Sequence, residues 1–260
     1  MKKTALITGA SSGIGLELAK IHASKGGHLV LVARSKDKLE NLKNELEQQY
    51  GSQVTIIAKD LSKPEAPKEV YDQLKQDSIR IDYLFNNAGF GDYGFFHETD
   101  WDKEAQMIDL NVRTLTHFTK LFTKDMVNQK FGKIMNVAST ASFQPGPLMS
   151  VYYATKHYVL AFSEGIANEL KGTGVTVTAL CPGPTASGFQ DAAAMNDSKL
   201  VKGVKMPSSK EVAGYGYRSL EKGKVVAIHG FMNKMMAESS RFMPRSIVRS
   251  VVRKVQEKSK

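Results

Sequence analysis

"KTALITGASSGIGLELAK", residues 3–20, is the stretch on which the reading of the whole chain turns. Lys3–Thr8 is short, apolar and partly β-branched, and reads as a buried strand, while the residues from Ile14 onward repeat with a helical period. Between them lie Gly9, Ser11, Ser12, Gly13, Ile14 and Gly15. Gly9 permits a tight turn, Gly13 lets backbone approach a pyrophosphate, and Gly15 lets helix and strand pack closely. The helix N-terminus then offers free N–H groups and a positive dipole end to phosphate, with the Ser11 and Ser12 hydroxyls beside them. Glycine collects in turns of every kind, so the weight rests on the strand before and the helix after.

Working outward, residues 28–33, 53–58, 82–86, 132–138, 174–180 and 224–229 repeat the strand signature. Polar segments of helical period separate them, including a long run from Trp101 to Asn128. Strict alternation specifies an α/β fold: a doubly wound, parallel, seven-stranded sheet of Rossmann type, with ligands beyond the carboxyl ends of the strands. Two regions break the alternation. Residues 182–207, rich in Gly, Pro, Ala, Ser and Met, are too long for a plain connector and read as a lid or binding element, or as an insertion without a role. The other is the tail from Phe231. Residues 1–230 are thus expected to form one dinucleotide-binding and catalytic domain, and residues 231–260 a basic amphipathic helical tail.

With 260 residues, 42% apolar and 24% charged, the chain is long enough for a large core. The opening "MKKTALITGASSGIG" imitates a secretory signal, but Gly and Ser break its apolar run at once, and it reads better as a first strand. No stretch approaches the roughly 18 uninterrupted apolar residues of a spanning helix. Cys181 is the sole cysteine, so neither an internal disulfide nor a cysteine-cluster metal site is expected, and a reducing, cytoplasmic setting fits. The histidines lack metal-ligand spacing, and no metal is expected. The net charge of +10 is unevenly placed. From Asn196 onward there are 15 Lys and Arg against 5 Asp and Glu, which leaves 21 of each before it. The main body is neutral and the excess belongs to the last quarter.

Where the second strand ends, "ARSKDK" puts Arg34 at the place where many NAD-binding folds carry an acid for the ribose hydroxyls. Lys36 and Lys38 follow. A guanidinium there matches a 2′-phosphate, so NADP(H) is favoured over NAD. The plainer reading is that these bases merely solvate a helix start.

"SVYYATKH", residues 150–157, places Tyr152 four residues and Tyr153 three residues before Lys156. An isolated phenol, with a pKa near 10, is a poor base at neutral pH. A positive charge about 5 Å away at an effective dielectric near 20 is worth roughly 3 kcal/mol, or about two pKa units. Both spacings allow contact on a helix, and geometry alone does not choose between the tyrosines.

"TGASSGIG" at 8–15, "NNAG" at 86–89, Asn111, Ser139, Tyr152 with Lys156, and "PG" at 182–183 together resemble the short-chain dehydrogenase/reductase family in its single-domain branch. The resemblance runs in order from about Lys3 to Gly230. The family pairs a serine at the end of the fifth strand with a YxxxK tyrosine, which selects Tyr152 and leaves Tyr153 to packing or the cofactor edge. The resemblance implies an NADP(H)-dependent oxidoreductase, with the cofactor as NADPH in reduction. Tyr152 would be general acid in reduction and base in oxidation. Lys156 would lower its pKa and hold the nicotinamide ribose, Ser139 would polarise the substrate oxygen, and Asn111 would position a proton-relaying water. By the same resemblance Asp60 and Leu61 would meet the adenine, and Asn87, Ala88 and Gly89 would pass under the adenosine ribose. Pro182 and Gly183 would border the nicotinamide. The expected PGxxxT reads "PGPTAS" here, so either Thr185 or Ser187 could hold the carboxamide. A homodimer or homotetramer is implied through the long helices flanking the fifth strand.

Phe90, Tyr93, Phe143 and Phe189, with Met149, Met195 and Met206 nearby, should overhang the nicotinamide and suit an apolar carbonyl or alcohol, although each singly could equally be core. In the tail, Ile247, Val248, Val251, Val252 and Val255 form one helical stripe, flanked by Arg245, Arg249, Arg253, Lys254 and Lys258. Packing on protein leads, because valines are poor helix formers in isolation and need burial; an anionic membrane surface and nucleic acid are the other uses. Competing readings of the whole chain are an NAD-linked alcohol dehydrogenase, a nucleic-acid-binding protein and a non-catalytic cofactor-binding scaffold. Recognition motifs for nucleic acid are absent, which sets that reading behind.

Overall fold

β1 (Thr4–Thr8) and β2 (His28–Ala33) show why the strands read as unbroken apolar runs. Ala5 and Ile7 face one core cluster together with Leu29, Leu31 and Ala33, whereas Leu6, Val30 and Val32 face another. Alternate side chains point to opposite faces, and both faces are covered, so the positions between the strand ends are apolar. Each fully buried leucine here contributes roughly 1.5–3 kcal/mol.

A computed structural model describes residues 2–193, 195, 198–199, 203 and 205–257. Lys258 and part of the 182–207 segment lie outside the described residues. Beyond β1 and β2 the strands are β3 (Val54–Ala58), β4 (Tyr83–Asn86), β5 (Gly132–Val137), β6 (Val175–Cys181) and β7 (Val226–Ile228). They form one parallel sheet in the order β3-β2-β1-β4-β5-β6-β7. The chain reverses direction of winding between β1 and β4, which opens a crevice at their carboxyl ends.

The helices are α1 (Gly13–Ser24), α2 (Lys36–Tyr50), α3 (Ala66–Gln76), α4 (Trp101–Ile108), α5 (Leu115–Asn128), α6 (Ser150–Glu169), α7 (Phe189–Ala192), α8 (Ser209–Glu221), α9 (Phe231–Ser239) and α10 (Arg245–Gln256). Leu18, Ala19 and Ala23 of α1 and Val212, Ala213 and Tyr217 of α8 cover one face; Val70 and Leu74 of α3 and Phe118, Phe122 and Met126 of α5 cover the other. The run from Trp101 to Asn128 is continuous but not uniform: Asp109–Thr114 widens into a π-helical turn between α4 and α5. Such turns interrupt the regular ladder and recur at functional positions. Asn111 lies within it.

The tail departs from expectation. It comprises two helices, and the stripe on α10 is split. Val248 and Val252 are buried in a cluster with Met149 and Tyr153, while Ile247, Val251 and Val255 remain exposed. The receiving surface is narrower than the roughly 140° arc the five side chains span at 100° per residue.

Candidate active site

The carboxyl edge of β1 is held open by glycine. Gly9 has φ +65°, and a Cβ there would sit 2.9 Å from Asn87 Nδ2 and 3.0 Å from the Ala88 Cα. A Cβ on Gly15 would land on the Gly9 carbonyl oxygen and 2.5 Å from Asn87 Nδ2. Turn, helix and β4 therefore meet where no side chain fits. Thr8, which sequence reasoning passed over, ties them together: its hydroxyl accepts from the backbone N–H groups of Asn87 and Ala88, both at 3.0 Å. Asn87 Nδ2 donates in turn to the carbonyls of Thr8 and Gly9, at 3.0 and 3.2 Å. Ser12 stands at the N-cap of α1 without a side-chain capping bond, so the first-turn amides are left to the cleft.

A cavity of about 420 Å³ begins at this loop and runs along the sheet edge. Its wall at this end includes Gly9, Ser11, Ser12, Gly13, Ile14 and Arg34. Asp60, Leu61, Asn87, Ala88 and Gly89 continue it. Arg34 is exposed at its rim, whereas Lys36 pairs along its own helix with Glu40 at 3.6 Å. Lys36 and Lys38 do not line the cavity. Burial works to raise the Asp60 carboxyl, but hydrogen bonds from the Ser62 N–H and hydroxyl, at 3.0 and 2.8 Å, and the Arg34 charge outweigh it, and the group titrates below the usual carboxylate range.

At the other end Ser139, Tyr152 and Lys156 converge on the same cavity. Ser139 follows β5 and caps the Thr140–Phe143 turn, its hydroxyl accepting from the Ala141 N–H at 3.1 Å. Tyr152 and Lys156 lie one turn apart on α6. The Lys156 ammonium lies 5.8 Å from the Tyr152 ring centroid and donates to the Val137 carbonyl at 2.8 Å. Burial dominates both groups. The Tyr152 phenol is pushed up to about 12, with the Ser139 side chain working the other way, and the Lys156 ammonium is brought down to about 8. Burial thus holds the Tyr152 phenol above its ordinary value, and the group that works against it is the Ser139 hydroxyl. Tyr153 also faces the cavity, but its hydroxyl accepts from Gln256 Nε2 of α10 at 2.7 Å.

Asn111 is buried and fully engaged. Its amide donates to the Phe90 carbonyl at 2.9 Å and to the Thr155 hydroxyl at 3.1 Å, and its oxygen accepts from the Phe90 N–H at 3.2 Å. Pro182, Gly183, Thr185 and Ser187 line the cavity. The Thr185 hydroxyl donates to the Gly183 carbonyl at 2.9 Å, whereas Ser187 Oγ accepts from the Phe189 N–H at 3.3 Å. Of the four aromatic candidates, Phe90 and Phe189 line the cavity, Phe189 with its ring 5.3 Å from that of Tyr152. Tyr93 and Phe143 do not. The Tyr93 hydroxyl is drawn to the Gln256 carbonyl at 2.6 Å, and Phe143 packs against Ala138, Val159 and Leu160. Met149 and Met195 complete the apolar side. The Cys181 thiol is pushed up to about 12 by burial, and so holds its proton.

A family model described as short chain dehydrogenase matches residues 3–197. The chain belongs to the short-chain dehydrogenase family. It is 34% identical over 185 residues to the very-long-chain 3-oxoacyl-CoA reductase of Anas platyrhynchos, covering 68% of this chain and only 58% of that protein. A short-chain dehydrogenase from Sphingobium yanoikuyae in complex with NADPH superposes with a TM-score of 0.83 at 32% identity, over 92% of this chain and 94% of that one. A short-chain dehydrogenase/reductase from Burkholderia phymatum in complex with NAD gives 0.81 at 25% identity, over 91% and 92%. As a member of the family the chain is an oxidoreductase of CH–OH and C=O groups using a nicotinamide cofactor. The cavity that passes Gly9, Ser11, Ser12, Gly13 and Ile14 at the uncapped first turn of α1 fits such a dinucleotide.

Proposed function

We propose that the chain reduces an apolar ketone or aldehyde with NADPH, with Tyr152 as the proton donor. The observation that carries this reading is the convergence of Ser139, a buried protonated Tyr152 and Lys156 on the cavity that the glycine loop opens. A phenol held near 12 keeps its proton at neutral pH and gives it up only to a strong base, such as the alkoxide that forms when a carbonyl is reduced. Ser139 orients the carbonyl oxygen, and the Lys156 ammonium offsets the charge left on the phenolate. Asn111 holds the Phe90 backbone at the cavity wall and, through Thr155, the α6 backbone beside Tyr152.

When bound, NADPH supplies the hydride to the substrate carbon. The amides at Ser11, Ser12, Gly13 and Ile14 would receive its pyrophosphate, Arg34 its 2′-phosphate, and Asp60 and Leu61 its adenine. Asn87, Ala88 and Gly89 would lie under the adenosine ribose, and Lys156 would hold the nicotinamide ribose. Pro182 and Gly183 would border the ring. A Cβ on Gly13 would stand 3.5 Å from Ser187 Cβ, which puts Ser187 over the phosphate loop and favours Thr185 for the carboxamide. Support for NADPH over NAD rests on Arg34 at the rim and on the lack of an acid at the end of β2.

Residues 1–230 would carry the chemistry and residues 231–260 an appended basic tail. A homodimer or homotetramer through α5 and α6 is supported by Tyr158, an exposed aromatic stacked on Phe162 and 3.0 Å from the Thr116 hydroxyl of α5. A cytoplasmic setting is part of the same reading. The test is absorbance at the nicotinamide band over a panel of bulky ketones and aldehydes, with NADPH and NADH side by side. Turnover preferring NADPH is expected; equal affinities would undo the Arg34 argument, and cofactor binding without turnover of any carbonyl would leave a binding scaffold.

A further inference from the structure

The last turn of α10 reaches back to the cavity that Tyr152 lines. It lies beyond residues 3–197, which the family model matches, yet it touches three segments of the body. Arg253 sits over the Phe95 ring at 4.9 Å, in the loop that follows β4. The Glu257 carbonyl accepts from the Lys199 N–H at 3.0 Å. Between them Gln256 meets all three segments. Its carbonyl accepts from the Tyr93 and Ser198 hydroxyls at 2.6 and 3.1 Å, and its side-chain Nε2 donates to the Tyr153 hydroxyl of α6 at 2.7 Å. These partners stand 163, 58 and 103 residues away in sequence.

Packing by itself does not call for glutamine in that place. Gln256 is 1% exposed, and its Oε1 accepts no hydrogen bond among the described residues. An apolar side chain would escape the desolvation this entails. What the amide does is satisfy one hydroxyl. Tyr153 is buried in a cluster with Met149, Val248 and Val252, where an unpartnered phenol is costly. Its ring stands 6.1 Å from that of Tyr152 and lies on bare backbone, since a Cβ on Gly146 would land in it. Tyr153 also lines the cavity. The two bonds to its own carbonyl fix the Gln256 backbone, so the amide is a fixed point for the phenol.

We propose that Gln256 is a positioning residue that sets specificity: from the tail it holds Tyr153 at the cavity wall and so keeps the space beside Tyr152 open to bulky carbonyls. The proposal rests on the carbonyl reduction assigned above. Deprived of the amide, the Tyr153 hydroxyl finds its polar partners on the cavity side, and the ring that follows it takes up room beside Tyr152. A large substrate loses that room and a small one does not. Without a hydroxyl, the ring at position 153 has no such reason to move.

Steady-state kinetics of the full chain with NADPH tests this, with benzophenone as the bulky probe and propanal as the small one. Gln256→Met is expected to raise KM for benzophenone about tenfold, the scale of one lost hydrogen bond, while lowering kcat less and leaving KM for propanal within about twofold. Y153F/Q256M should bring the benzophenone KM back to within about twofold of the unmodified protein, a rescue that a merely structural role would not give. A KM that rises for both probes alike, a double variant left unrescued, or loss of fold in Q256M would make Gln256 an anchor of the tail and overturn the proposal. A crystal structure of Q256M with NADPH reads the same contact without turnover: the Tyr153 hydroxyl should turn towards the cavity, and an unmoved ring overturns the proposal. Failure of the unmodified protein to reduce either probe counts against the assigned reduction, while the ring position in Q256M still decides the role of Gln256.

Discussion

Tyr152 and Tyr153 are neighbours in sequence, and both reach the same cavity. What separates them is the fate of the hydroxyl: that of Tyr153 is held by Gln256, whereas that of Tyr152 meets Ser139. Tyr152→Phe is expected to lower kcat by roughly 10²–10⁴-fold while leaving the NADPH dissociation constant within a factor of about two. Tyr153→Phe should retain most turnover; steady-state kinetics on the two variants checks both. Lys156 carries a pH signature. Its folded pKa of about 8 lies below the ordinary lysine value of 10.5, so at neutral pH the fold bears the cost of a buried charge, about 3 kcal/mol. Between about pH 8 and 10 the unfolded chain binds more protons, and this cost is relieved as pH rises. Lys156→Met should therefore raise the thermal midpoint at pH 7 yet lose that advantage towards pH 10. A pH-independent difference would rule out desolvation as the cause.

At the level of elements, β1, its glycine turn and α1 act as one unit because Gly15 touches the backbone of Gly9. Gly15→Ala forces a methyl against that carbonyl, at a cost of roughly 1–3 kcal/mol, and displaces the first-turn amides. Both a lower denaturation midpoint and weaker NADPH binding are expected, measurable by urea titration and nicotinamide fluorescence; normal cofactor affinity in this variant would detach the cradle from the site. The π-helical turn around Asn111 is a second such unit. Asn111 reaches both Phe90 after β4 and Thr155 on α6, and so joins the loop over the cleft to the helix that carries Tyr152.

Across the whole molecule, the tail is bound to the body beside the cavity, where Met149 and Tyr153 form part of the wall. Val248 and Val252 are buried against Met149 and Tyr153, and burying a valine is worth roughly 1.5–3 kcal/mol. Val248→Ala with Val252→Ala should lower stability by a few kcal/mol and raise KM for bulky carbonyls more than it lowers kcat. Unaltered stability would mean that α10 is not seated as described.

By itself the sequence determined the sheet, the glycine loop and the one-turn spacing of Tyr152 and Lys156, because these depend on local periodicity, on glycine's missing Cβ and on short-range spacing; the choice of Ser139 and Tyr152 came from the family resemblance. Six of the seven strands lie within the segments read from the letters, and β6 runs one residue past its segment, to Cys181. Tertiary structure alone decided matters set by neighbours distant in sequence. Desolvation by the surrounding walls moves Tyr152 up where the nearby lysine suggested down. Tyr93 turns to Gln256, 163 residues away, instead of to the cavity. The tail's five aliphatic residues divide between a narrow protein groove and solvent, since an amphipathic pattern fixes which face of a helix is apolar but not how much of that face another surface covers.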